Sequence, residues 1–197
     1  MDKKEDYPHL VWDLIDSRED RSYRLFSVRI NRNRSPRTGV IHEFQVLTSP
    51  DWVTVIPLTE DNKVVMVRQY RHGSGHLALE PPGGLVKDGQ TAEQSAVEEL
   101  EEETGYVPGE LELLGRLSPM PALFDNTFYV YIARNVKPHG TKHPDETEDV
   151  ETVLLSVDEV RDKIRSGEID GSVMIAALHL FLDWADRHPK LMSSAPK

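Results

Sequence analysis

A glycine-punctuated turn running into a glutamate-loaded helix constrains this chain more than any other stretch. Residues 83–106 read GGLVKDGQTAEQSAVEELEEETGY, and five of the six positions from 98 to 103 are glutamate. Thr91 can cap a helix here, with Gln94 completing a capping-box pattern, and Gly105 is a natural stop. The glutamates then occupy the later half of the helix, where the backbone dipole disfavours negative charge. Glu98/Glu102 and Glu99/Glu103 also repel at a spacing of four. A helix that breaks local rules this way is expected to have something positive among its carboxylates. On a helical wheel Ala96, Val97, Leu100 and Thr104 share one face; Glu99 and Glu103 flank it, Glu102 lies further round, and Glu98 points nearly opposite.

The rest of the chain reads as a framework for that stretch. Residues 1–20 are polar with a few apolar anchors and suggest an arm or short edge element. The alternating runs 23–30 (YRLFSVRI) and 40–47 (VIHEFQVL) form a hairpin around the turn NRNRSPRTG. Denser strands follow at 52–58 and 64–70, and then comes EPPGG, which is expected to be irregular. After the helix, strands are expected at 111–117, 127–133 and 150–156, helices at 157–166 and 172–187, and a frayed tail. This order predicts an α+β protein, an α/β/α sandwich with an N-terminal antiparallel hairpin.

Composition narrows the function. A formal net charge of -11 argues against nucleic acid or an anionic membrane as the main partner. The absence of cysteine removes disulfides, thiolate catalysis and cysteine-ligated metals. No apolar run approaches a membrane span and the first residues lack a signal-peptide core, so a cytoplasmic protein is the expectation.

A carboxylate cluster can be a solvated face, acid–base machinery, or a hard-oxygen site for Mg²⁺ or Mn²⁺. Glu-rich helices are common, so the solvated face is a real alternative. Carboxylates one turn apart can share one cation or hold two, and Mg²⁺ completes its shell with water and substrate phosphates. A glycine turn before the helix adds unobstructed backbone groups such as the Gly83 carbonyl. Together these features suit metal-assisted attack of water on a phosphoanhydride. Elsewhere, Arg68 and Arg71 are readable as plain surface charge, and His72 and His76 lack a third ligand for zinc.

The stretch resembles the Nudix box, in which Gly is followed after five residues by Glu and after seven more by Arg-Glu-apolar-x-Glu-Glu-x-Gly-apolar. Gly84, Glu99, Leu100, Glu102, Glu103 and Gly105 fall in register. Beyond the box, VVMVRQYR with LALEPPGG, the prolines Pro119 and Pro121 of SPMPALFDN, the acidic segment around Glu146 and Glu148, and GEIDGSVMIAAL resemble the ADP-ribose and nucleoside-diphosphate-sugar pyrophosphatase branch. The resemblance implies a Nudix α/β/α sandwich with a mixed sheet over 49–190. It also implies a dimer-forming arm and hairpin over 1–48, with 191–197 as tail. It further implies a Mg²⁺ or Mn²⁺ cofactor held by Glu99, Glu103, the Gly83 carbonyl and Glu148. Glu146 is the implied general base, and Glu102 a further catalytic or ligating carboxylate. Arg71, Leu85 and Asn126 are the implied substrate contacts, Asn126 standing where a glutamate is frequent. The substrate implied is a nucleotide sugar, ADP-ribose first, and the assembly a homodimer.

Two positions depart from the box. Gln90 stands in place of the first Glu and Glu98 in place of Arg, a pair that in the family braces loop against helix. A Gln90 amide donating to the Glu98 carboxylate would keep a bond between the same positions, worth about 1 kcal/mol net. The rival is a regulatory domain that binds nucleotide sugars with weakened catalysis.

Overall fold

The computed structural model describes residues 6–139, 142–143 and 149–192. They fall into two compact units, one formed by Met1–Pro50 with Ser118–Asn126 and the other by Asp51–Leu117 with Thr127–Lys197.

The first unit carries a three-stranded antiparallel sheet of β1 (Asp13–Ser22), β2 (Ser27–Arg34) and β3 (Ile41–Thr48). Part of the expected polar arm, from Asp13 on, belongs to the ten-residue strand β1; residues 1–5 lie outside those described. The hairpin forms, but its first strand lies further along than the alternation suggests. Asn31 and Asn33 pair with Phe44 and His42, so part of the expected turn is ladder. Asn31 and Asn33 are half-buried and Arg32 and Arg34 exposed, so the ladder holds polar residues that composition assigns to a loop.

The second unit is built on an eight-stranded mixed sheet whose main path runs β11, β5, β4, β10, β8. Its strands are β4 (Trp52–Thr59), β5 (Lys63–Arg71), β6 (His76–Glu80), β7 (Gly83–Leu85), β8 (Tyr106–Val107), β9 (Glu110–Leu117), β10 (Phe128–Pro138) and β11 (Glu151–Ser156). β10 runs parallel to β4 and antiparallel to β9, placing it at the heart of the sheet. Side chains alternate across the sheet with the pleat. Ile56, Leu58, Val64, Met66, Phe128, Val130 and Ile132 face the helices α2 (Val157–Ser166) and α3 (Ser172–Arg187), against Val160, Leu178, Phe181 and Trp184. Val53, Val55, Val65, Tyr131 and Ala133 face α1 (Ala92–Thr104) through Ala96 and Leu100. Helices on both faces give the expected α+β sandwich with a mixed sheet. Among the described residues, no helix is long and apolar enough to cross a membrane.

Three local expectations change. The EPPGG segment is not wholly irregular, because Gly83 and Gly84 pair with Thr54 and Val53 as the strand β7. The buried face of α1 takes Ser95 where the wheel placed Val97, which is only half-buried. The expected frayed tail is a short helix, α4, over Pro189–Met192; the residues after it lie outside those described.

Candidate active site

The glycine turn is fixed before any acid reaches it. Pro82 carbonyl oxygen accepts from Val55 N–H at 3.0 Å and from Thr54 Oγ at 2.9 Å, and Val86 N–H donates to Asp51 carbonyl oxygen at 2.8 Å. A Cβ on Gly83 would lie 2.3 Å from the Val53 carbonyl oxygen, so only glycine lets this strand close on β4.

α1 then lays its acids against the turn. Its start is fixed by the Thr91–Gln94 capping box, with Thr91 Oγ accepting Gln94 N–H and Gln94 accepting Thr91 N–H. Its end is fixed by Gly105 at φ 74°, in the left-handed region. Glu99 and Glu103, one turn apart, are both buried, at 9% and 1% exposure. A buried carboxylate is costly unless hydrogen-bonded. Glu103 accepts from the Gly83 N–H at 3.0 Å and from Gln69 Nε2 at 3.4 Å, tying α1 to β7 and β5. Glu99 lies so close to Gly84 that a Cβ there would come within 2.5 Å of its Oε1. The Nudix-type register of Gly84 and Glu99 thus has a physical cause: the carboxylate occupies the space a side chain would fill.

Glu98 and Glu102 have a different environment. Gln90 Nε2 donates to Glu98 Oε2 at 2.6 Å, the bond anticipated from the two altered positions. Lys87, which sequence reasoning passed over, places its Nζ 3.0 Å from Glu98 and 3.0 Å from Glu102. Hydrogen bonds from Gln90 and then Lys87 hold the Glu98 carboxyl below the ordinary carboxylate range. Partial burial works against the Lys87 charge, but the hydrogen bonds it donates to Glu98 and Glu102 outweigh this and keep the ammonium above the ordinary lysine range. This lysine places a positive charge beside Glu98 and Glu102.

Arg71 ends β5, and its Nε donates to the buried Glu80 at 2.6 Å, with its side chain 42% exposed. Leu85, half-buried, ends β7 opposite Trp52. Asn126 belongs to the first unit; its Nδ2 donates to the Pro50 carbonyl oxygen at 3.0 Å, and its buried Oδ1 has no partner among the described residues. Glu146 and Glu148 lie outside the described residues, although His143, shortly before them, donates its N–H to the Glu102 carbonyl oxygen at 3.0 Å.

The donor set suits a hard divalent cation in chemistry but is incomplete in number. Glu99, Glu103 and the Gly83 carbonyl supply oxygen, while Glu102 is engaged by Lys87. Among the described residues, no group of three histidine, aspartate or glutamate side chains is arranged to hold a metal ion.

Comparison with known proteins gives this geometry a context. Residues 49–177 match the family model described as NUDIX domain. The chain is 34% identical over 169 residues to a methanol dehydrogenase activator of Bacillus methanolicus, across 85% of this chain and 91% of that protein. It is 29% identical over 132 residues to an ADP-ribose pyrophosphatase of Bacillus subtilis, across 66% of this chain and 71% of that one. A crystal structure of an ADP compounds hydrolase superposes with a TM-score of 0.79 over 90% of this chain and 95% of that one, a likeness of fold at 22% identity.

Proposed function

Because this chain belongs to the NUDIX domain family, we propose that it is a hydrolase that cleaves the pyrophosphate bond of a nucleoside diphosphate sugar. ADP-ribose is the leading substrate, and a nucleoside monophosphate and a sugar phosphate are the products. The observation that carries this reading is the pair of buried acids, Glu99 and Glu103, set against Gly83 and Gly84. Such a pair has little use on a merely solvated helix, because burial costs a carboxylate its hydration.

In this reading Glu99, Glu103 and the Gly83 carbonyl would hold Mg²⁺ or Mn²⁺, with Glu148 as a further contact. When bound, the ion supplies charge neutralisation and Lewis acidity at the diphosphate. The protein's own groups do the rest. A carboxylate, Glu146 first and Glu102 second, takes a proton from water as the oxygen attacks phosphorus. The phosphoanhydride P–O bond breaks on the opposite side, and the leaving phosphate departs with its electron pair. Arg71, oriented by Glu80, contacts a phosphate oxygen, while Leu85 and Asn126 border the substrate. The assembly is a homodimer joined through residues 1–48, and its partners are small nucleotides.

The test is a panel of ADP-ribose, GDP-mannose, UDP-glucose, diadenosine compounds and nucleoside triphosphates, each with Mg²⁺, Mn²⁺ or chelator. Metal-dependent release of nucleoside monophosphate from ADP-ribose is expected, and Glu103→Gln should lower kcat by about 100-fold or more. Near-normal activity of Glu103→Gln would remove that residue from the site. The similarity to a methanol dehydrogenase activator supports a second reading, in which the chain binds a nucleotide sugar to regulate another protein. Binding without turnover across the whole panel would favour it.

A further inference from the structure

α1 carries five glutamates in six positions and no basic residue in its last turn. Its counter-charge comes from the preceding loop. Lys87 Nζ donates to Glu98 Oε1 at 3.0 Å and to the two Glu102 oxygens at 3.2 and 3.0 Å. The same lysine's backbone N–H donates to Ser95 Oγ at 3.1 Å. Ser95 Oγ donates to Gln90 Oε1 at 2.7 Å, and Gln90 Nε2 donates to Glu98 Oε2 at 2.6 Å. The path leaves Lys87 through its backbone and returns to its side chain, so the bonds form a closed ring between loop and helix.

Each residue in the ring is the type its position requires. Gln90 must accept from a hydroxyl and donate to a carboxylate, which an amide can do and an ionised glutamate cannot. Ser95, fully buried, must accept from a backbone N–H and donate onward, as a hydroxyl does. Glu98 must accept on both oxygens. Lys87 must present several donors from one point, and an ammonium has three. An isolated, partly exposed ion pair would contribute little. Here one ammonium is shared by two carboxylates on successive turns of α1 and completes the ring as well.

We infer that Lys87 is a positioning residue for the acids of α1: a cation supplied by the loop that clamps Glu98 and Glu102, and so keeps Glu99 and Glu103 seated on Gly83–Gly84. Its effect on turnover rests on the hydrolase reading; its effect on the fold does not. Lys87 holds Glu98 and Glu102 directly and acts on Glu99 and Glu103 through the helix that carries all four.

The experiment compares the wild type, Lys87→Met, Lys87→Arg, the pair Gln90→Glu with Glu98→Arg, and that pair combined with Lys87→Met. All are melted in chelator and assayed on ADP-ribose with Mg²⁺. The pair moves a cation onto the helix opposite an acid in the loop, which makes the lysine redundant. Lys87→Met alone is expected to lower the melting midpoint by about 2–4 °C. It should lower kcat by about 10- to 100-fold, since small misplacements of catalytic groups are costly, with KM changed by less than about 3-fold. In the paired background the same change should shift the midpoint by less than about 1 °C. Lys87→Arg should retain the wild-type midpoint and most of kcat. A Lys87→Met protein that melts as the wild type does, or one that loses as much in both backgrounds, would overturn the inference. If the wild type turns over no substrate, the hydrolase reading fails by itself, and the melting comparison still decides the role of Lys87.

Discussion

Two adjacent glycines do different jobs, and substitution separates them. At Gly84 an added Cβ meets the far end of the Glu99 side chain at 2.5 Å, which can swing aside. Gly84→Ala is therefore expected to fold with a nearly unchanged melting midpoint while losing about 100-fold in kcat, as a displaced carboxylate would cause. At Gly83 the added atom meets the Val53 carbonyl oxygen at 2.3 Å and the Thr54 Cα at 2.8 Å, both backbone. Gly83→Ala is expected to destabilise the fold by about 1–3 kcal/mol, read from chemical denaturation. A Gly84→Ala enzyme with full activity would argue against a working role for Glu99. At this scale the glutamates were legible because their spacing, and the glycines before them, form a long gapped pattern. Gln90 and Glu98 were legible as a pair because both depart from that pattern. Lys87 was not, since a loop lysine has no periodicity and no partner adjacent in sequence. The available signal was electrostatic: a helix with so many acids, and no base in its last turn, must take its cation from elsewhere.

α1 and α2 were readable to the residue because their ends are chemically marked. Ser156 and Glu159 form a capping box at the start of α2, with Glu159 Oε2 accepting from Ser156 N–H and Oγ at 2.7 Å each, and Gly167 closes the helix at φ 78°. The backbone hydrogen bond from Ser156, then its hydroxyl, lowers the Glu159 pKa below the ordinary 4.5. A carboxyl whose folded pKa is depressed contributes stability above its unfolded pKa and loses it as pH falls through the folded value. The melting difference between wild type and Glu159→Gln should thus be largest above about pH 4.5 and shrink below it. A difference that is flat with pH would show that the Glu159 charge adds nothing to the cap. The strands that escaped sequence reading lack such marks. β6 is five residues with His76 and Leu77 exposed, β7 is glycine-rich beside two prolines, and β1 is polar but for Leu14 and Ile15. Their place is set by partners, Val67 opposite Glu80 and Val53 opposite Gly84, rather than by their own preferences.

At the scale of the whole molecule, the first unit leaves Trp12, Leu14, Ile15, Ile41 and Phe44 exposed, with Trp12 edge-on to Phe44 at 5.4 Å between ring centroids. Apolar exposure of that kind suits the proposed homodimer. Light scattering should report about twice the 22.4 kDa chain mass, and Phe44→Glu with Leu14→Glu should return it toward one chain. A monomeric wild type would dismiss the dimer. The sandwich itself was legible because the dense apolar runs of β4, β5 and β10 require cover on both faces, whereas the assignment of Ser118–Asn126 to the first unit was not, since it depends on chain segments meeting from afar. The parallel pairing of β4 with β10, and of β5 with β11 in the opposite sense, joins strands with α1 and several loops between them in sequence. Closing such distant loops costs entropy before any pairing rewards it. Refolding should accordingly run on a timescale of about milliseconds to seconds, with helical signal recovering before that of Trp52, which lies at the β4–β10 junction.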